Sequence, residues 1–224
     1  MRKRLLALSL AALAALAGCA SMPGGDQRMG FFVSSTGSGQ GANLGGLAGA
    51  DALCQRLATA AGQGARTWRA YLSTPPTLPG ANNPGTPAVH ARDRIGKGPW
   101  YNARGVLIAR DIEQLHNGNN INKDTALDER GNVVRGRGDT PNEHDILTGT
   151  RSDGTAFAPQ TDTTCRGWTS SGEGSAVVGH HDRIGPTGDQ WAKSWNFSHQ
   201  SAGCSQEALI RTGGSGRLYC FAVD

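Results

Sequence analysis

The residues of this chain best suited to holding a metal are His180 and Asp182, with His199 downstream, because imidazole nitrogen and carboxylate oxygen are suitable ligands for a transition metal. The plainer alternative is a surface loop in which His180 or Asp182 makes structural hydrogen bonds, since adjacent histidines such as His180 and His181 often face different ways. Catalytic chemistry has little to stand on. No G-x-S-x-G, H-E-x-x-H or Walker-type loop occurs, and Ser171-Gly172-Glu173-Gly174-Ser175 has the wrong spacing for a nucleophile elbow. The expectation is therefore a protein that is not an enzyme. Arg137-Gly138-Asp139 matches an integrin-recognition tripeptide in what reads as an exposed turn beside Thr140-Pro141, although chance is a serious rival in a chain with this many Arg, Gly and Asp residues. Trp191, Trp195 and Phe197 could stack on sugar rings or fill the core, the more usual fate of aromatics.

The N-terminus carries a different chemistry. Arg2, Lys3 and Arg4 precede an apolar run from Leu5 to Leu16 that is too short to span a bilayer comfortably, and small residues follow, as in a secretory signal. Leu16-Ala17-Gly18-Cys19 resembles the lipobox of bacterial lipoproteins. That resemblance implies a signal peptide over 1–18, acyl chains on the Cys19 thiol and a lipidated flexible tether over 19–30. The implied partner is a membrane, reached through the lipid anchor. An ordinary signal peptide that happens to contain a cysteine is the alternative. In the lipoproteins that the lipobox resembles, an Asp after the cysteine is the usual inner-membrane retention signal; Ala20 and Ser21 stand there instead, so the resemblance implies the cell outer membrane, with the domain periplasmic or surface-exposed. Loss of the signal takes the formal net charge from +4 to +1, so bulk charge gives little support to nucleic-acid binding.

With Cys19 lipidated, Cys54, Cys165, Cys204 and Cys220 remain, and in an exported chain they suggest two disulfides. Counting leaves all three pairings open; a zinc cluster competes weakly because no C-x-x-C pair exists. The elements that must position these residues are sparse: 33 glycines and 10 prolines point to a turn-rich domain with long loops. Phe31-Phe32-Val33 reads as a first strand. Leu47, Ala50, Leu53, Cys54, Leu57 and Ala61 recur at helical spacing, with Asp51 near the positive end of the helix dipole and Gly62 and Gly64 as stops. Trp68, Ala70 and Leu72 alternate with polar residues as in a half-buried strand, and Val106-Leu107-Ile108 suggests another. From His116 to Gln160 apolar periodicity is weak, which fits a binding surface or a solvated insertion. Strand character returns around Cys165 to Trp168 and at Leu218 to Val223, the latter apolar on both faces as in a central strand.

This order of elements and cysteines resembles a C-type lectin-like fold. The stretch from Gly45 through Cys54 to Ser73 is similar to the opening of the endostatin domain of collagens, and Cys165-Arg166-Gly167-Trp168-Thr169-Ser170, Ser194-Trp195-Asn196 and Gly203-Cys204 resemble a bacterial lectin-like lipoprotein family. The resemblance implies an α+β domain over 31–224, an endostatin-like mixed, mainly antiparallel sheet with one or two helices and long loops. It also implies nested disulfides, Cys54 with Cys220 and Cys165 with Cys204. Calcium-dependent lectins carry an acid-Pro-Asn and a Trp-Asn-Asp motif whose oxygens bind calcium and, through it, sugar. Asp139-Thr140-Pro141-Asn142-Glu143 and Trp195-Asn196-Phe197 stand in the same order, but Thr140 and Phe197 replace two ligands. Asp139, Asn142, Glu143, Asp145, Trp195 and Asn196 are thus the implied ligand-binding set and calcium the implied cofactor. The function expected is an outer-membrane lipoprotein whose domain recognises glycans or extracellular-matrix-like protein. A structural or adhesive envelope lipoprotein with a protein partner is the alternative.

Overall fold

The computed structural model describes residues 28–224, so the signal peptide, Cys19 and the tether up to residue 27 lie outside the described residues. The fold is under way by Met29, which bridges Tyr101, and Gly30, whose N–H donates to the Tyr101 carbonyl at 2.8 Å.

In chain order the elements are β1 (Phe31–Val33), α1 (Gly46–Ala60), β2 (Trp68–Ala70), α2 (Ala91–Arg94), β3 (Trp100–Tyr101), β4 (Leu107–Ala109), α3 (Ile112–Asn117), β5 (Asp145–Leu147), α4 (Cys165–Trp168), β6 (Val177–His180), a 3-10 turn (Trp191–Lys193), β7 (His199–Gln200), α5 (Gln206–Thr212) and β8 (Gly214–Ala222). The protein is α+β with a mostly antiparallel six-stranded sheet in the order β1-β8-β5-β6-β7, β2 also pairing with β8, and a separate β3-β4 pair. Among the described residues five helices form where one or two are expected. Four of them have seven residues or fewer, too short for a periodic apolar stripe to mark them in sequence.

β8 is the central strand its apolar pattern predicts. Its alternate side chains feed two cores, because successive residues of a strand point to opposite faces. Leu218, Cys220 and Ala222 join Phe32, Trp68, Ala70, Leu53 and Ala50 beneath α1. Tyr219 and Phe221 join Phe31, Val33, Tyr71, Trp100 and Trp195 on the other face. The second core also takes in Ile121, Ala126 and Val134, so much of the weakly periodic stretch after His116 packs inward rather than forming a solvated insertion. Asp51 does not simply face the helix dipole: it accepts the Ala70 N–H at 2.9 Å and pairs with Arg94 at 2.6 Å, fastening α1 to β2 and α2.

Cys54 is bonded to Cys220 and Cys165 to Cys204, with Cα separations of 5.6 and 5.8 Å. The first ties α1 to β8 and the second ties α4 to the segment before α5. The strand expected around Cys165 is instead a tight turn: Cys165, Arg166, Gly167 and Trp168 all have positive φ. The Asp162 carboxylate holds that turn by accepting the Thr164 and Arg166 N–H groups, while Cys165 and Trp168 are both buried in the core beneath α1. No helix among the described residues is long and apolar enough to cross a membrane.

Candidate functional site

The oxygen ligands implied for calcium are held by other partners. Lys123 pairs with Asp139 at 2.6 Å, and the Gly136 N–H donates to the same oxygen. Glu143 is clamped by Arg217 at 2.7 Å and Arg135 at 3.2 Å. The Asn142 side-chain carbonyl accepts the His144 N–H. The Asn196 amide donates to the Tyr71 hydroxyl and to the Arg151 and Ser152 carbonyls. Trp195 is buried among the Tyr71, Tyr219 and His116 rings. Asp139, Asn142, Glu143, Trp195 and Asn196 therefore do not converge on one cage, because each finds cations, amides or rings within its own neighbourhood. Arg137-Gly138-Asp139 does lie in a turn, with Arg137 and Gly138 exposed and the Asp139 carboxylate paired.

The Trp195–Asn196 pair instead forms the floor of an open cleft. It is pinned from the end of β5 and from β8: the Thr148 hydroxyl donates to the Asn196 carbonyl at 2.7 Å, and the Tyr219 hydroxyl donates to that of Trp195 at 2.8 Å. The cleft has a volume of about 500 Å³, and Trp191, Gln190, Lys193, Arg183, His116 and Ser152 are among the residues that line it. Trp191 is 42% exposed, in contrast to the buried Trp195, so one aromatic face is offered beside amide, ammonium, guanidinium and hydroxyl groups. Burial holds the His116 imidazole below its ordinary pKa. Its Nδ1 donates to the Ile112 carbonyl, which orients Nε2 to accept the Tyr71 hydroxyl at 2.7 Å. Phe197 faces Phe157 with ring centroids 6.0 Å apart.

A second cluster lies at the β5–β6–β7 end of the sheet. Asp145 opens β5 directly opposite His180 of β6, and β7 brings His199 alongside. A bulge between Asp145 and Ile146, in the pairing with β8, re-aims this end of the strand. As a result His144 and Asp145, though adjacent, turn toward one point. Asp145 Oδ1 is 3.2 Å from His144 Nε2, 3.2 Å from His180 Nε2 and 3.3 Å from His199 Nε2. One ligand atom from each of His144, Asp145 and His180 lies within 4.8 Å of the others, the one such group among the described residues. Burial pushes the Asp145 carboxyl up, but the neighbouring His180 and His199 outweigh it and leave the group below the ordinary carboxylate range.

Of the metal set drawn from sequence, His180 and His199 thus meet and Asp182 does not join them. Asp182 stands behind His144, accepting from its Nδ1 at 3.2 Å and from the Arg137 and Ile184 N–H groups. Burial pushes the Asp182 carboxyl up, but His144 and those two amides hold it well below the usual range. His181 faces away: its Nε2 donates to the Arg135 carbonyl, and burial holds the ring below its ordinary pKa. His144 is the residue that sequence reasoning missed. Its only signal is a second His-Asp step, His144-Asp145, beside His181-Asp182. No protein-family model matches the chain, and no curated protein is significantly similar to it.

Proposed function

We propose that this is a lipid-anchored envelope protein whose domain binds glycans in the Trp191 cleft, and that its fold is C-type lectin-like. The observation that carries the glycan reading is the exposed Trp191 ring in a cleft of about 500 Å³ rimmed by Gln190, Lys193 and Arg183. A sugar ring has an apolar face suited to an indole and equatorial hydroxyls suited to amide and cationic donors. The floor is rigid, since the polar atoms of Asn196 and the Trp195 carbonyl are committed to the chain, so little ordering is needed on binding. The lectin-like reading of the fold is supported by the nested disulfides and by the first and last strands lying antiparallel, Phe31 opposite Phe221.

Cys19 lipidation, cleavage of 1–18 and outer-membrane placement rest on the basic and apolar start of the chain and on its lipobox-like end. About ten residues separate Cys19 from Met29, where the fold is under way. A protein partner is the second reading. It is supported by a groove of about 610 Å³ lined by Pro75, Pro76 and Pro159, beside Leu78, which is 61% exposed.

A glycan array probed with the purified protein and with Trp191→Ala tests the first reading. The wild type should bind a defined set of glycans with no dependence on added calcium, and Trp191→Ala should weaken that binding about 10-fold or more, as expected for the loss of about 1.4 kcal/mol or more of contact. Indifference of the wild type to every glycan would sink the proposal. Capture of one protein partner, abolished by Leu78→Asp, would favour the second reading.

A further inference from the structure

We infer that this domain holds one divalent first-row transition-metal ion, with zinc the natural first candidate, between His144, Asp145 and His180, and that His199 is the ligand on the solvent side. Three features of the cluster lead there: the direction of its lone pairs, its size and its cradle.

Each of the three imidazoles has its Nδ1 turned to an oxygen that can only accept. His144 Nδ1 faces Asp182 Oδ1 at 3.2 Å, His180 Nδ1 faces the Ala192 carbonyl at 2.7 Å, and His199 Nδ1 faces the Gln200 carbonyl at 3.0 Å. A ring nitrogen in that position carries a proton, so each Nε2 of a neutral ring carries a lone pair; at His199 burial pushes the ring's pKa down, but Asp145 outweighs it and favours a second proton there, which leaves the lone pairs of the other two rings unanswered. All three Nε2 atoms are directed at Asp145 Oδ1, itself an anion, at 3.2 to 3.3 Å. Both Asp145 oxygens lack a hydrogen-bond partner although the residue is only 2% exposed. Electron-rich atoms converging at this distance repel one another, and leaving such a carboxylate unpaired is costly. A cation among them removes both penalties.

Protons alone satisfy the cluster poorly. The His144 and His180 rings stack with centroids 4.1 Å apart and planes 10° from parallel, so charging both sets two imidazolium ions face to face. Ser198 Oγ, 3.1 Å from His180 Nε2, can donate to only one of the three lone pairs. Calcium is a poor match for a site with three nitrogens, whereas zinc and its neighbours favour imidazole.

The spacing agrees. In a tetrahedral zinc site with bonds of about 2.0 to 2.1 Å, ligand atoms stand about 3.3 to 3.4 Å apart, close to the contacts around Asp145 Oδ1. His199 lies outside the tight triple and is 29% exposed along its side chain, so it closes the shell from the accessible edge. The cradle is built around these groups. A Cβ at Gly213 would lie 3.2 Å from His144 Nε2, and one at Gly214 would lie 3.0 Å from the Asp145 Cβ. Asp182 behind His144 supplies the carboxylate-histidine-metal relay that orients and strengthens a ligating ring.

The ion would also fasten the cleft. His180 ends β6 and His199 begins β7, so one metal grips both ends of the segment 181–198 that carries Trp191 and the Trp195–Asn196 floor. The site itself does not depend on what the cleft binds.

The test uses the full exported chain in detergent, stripped with chelator, dialysed and titrated with zinc by calorimetry, with bound metal counted by mass spectrometry. One zinc per chain should bind and raise the melting temperature. His180→Ala should weaken binding by at least about 100-fold, more than the roughly 10- to 100-fold expected for the outer-shell change Asp182→Asn. His90→Gln should change nothing. Should His180→Ala fail to fold, His199→Gln at the exposed edge replaces it, with an expected loss of about 10-fold or more. Cobalt in place of zinc should then give the visible absorption of a tetrahedral nitrogen–oxygen site in the wild type, altered in His199→Gln. Zinc uptake that is negligible, or unchanged by both histidine substitutions, overturns the inference, as does a cobalt spectrum that is octahedral or indifferent to His199→Gln.

Discussion

Glu143 shows at the scale of single residues how this chain uses its acids. Arg217 and Arg135 hold its carboxylate, and Arg217 also donates to the Ser34 carbonyl at 2.7 Å, so the pair joins β8, the end of β1 and the segment before β5. Burial pushes the Glu143 carboxyl up, but the two guanidinium groups outweigh it and the net displacement is downward. A carboxyl whose pKa is lower folded than unfolded adds stability above its unfolded value, near pH 4.3, and loses it as pH falls through the lower folded value. Glu143→Gln should therefore melt at a lower temperature than the wild type at pH 7, and the gap should narrow progressively as pH falls below about 4.3; a gap that does not change with pH down to acid unfolding would contradict the ion-pair account. The acids were legible in the sequence as types and in order. Their partners were not: Lys123 is 16 residues from Asp139, and Arg217 is 74 from Glu143. Only the folded chain decides whether such a cation or a calcium ion reaches the carboxylate first.

Among the elements, β6 sets the position of the cleft floor. Gly179 lies directly beneath the Trp195–Asn196 backbone, and a Cβ there would collide with the Trp195 carbonyl. The crossing is tied on either side, by the His180 N–H to the Ser194 carbonyl at 2.9 Å and by the Ser198 N–H to the Val178 carbonyl at 2.7 Å. Gly179→Ala should thus lift the floor, costing about 1 to 3 kcal/mol in urea denaturation and weakening any ligand of the Trp191 cleft; an unchanged midpoint would mean the crossing is slack. Strong periodicity made α1, β2 and β8 readable. β5, at three residues, is too short for alternation to fix a register, and the bulge after Asp145 breaks the rule that neighbours face opposite ways. For that reason the sequence offered His180 and His199 but marked the approach of His144 and Asp145 by nothing beyond a repeated His-Asp step.

Across the whole molecule, β8 separates two cores, and each disulfide spans a different length of chain on the α1 side. Cys54 and Cys220 stand 166 positions apart in sequence, and Cys165 and Cys204 stand 39 apart. In the chain-entropy picture these closures restrict the unfolded ensemble by about 5 and about 4 kcal/mol. Both bonds are buried in the core beneath α1, so replacing either pair by alanine exchanges similar side chains in similar surroundings, and the difference between the variants isolates loop length. Cys54→Ala/Cys220→Ala should lower the melting temperature more than Cys165→Ala/Cys204→Ala, each by about 10 to 20 °C, with reductant bringing the wild type below both. Equal losses from the two pairs would instead assign the stabilisation to local packing around the sulfurs. A small loss from the 166-residue closure would mean that this end of the chain keeps native-like contacts in the denatured ensemble, through the Asp51 contacts of α1 with β2 and α2 and through the Trp68–Phe32 rings of β2 and β1, whose centroids lie 4.9 Å apart.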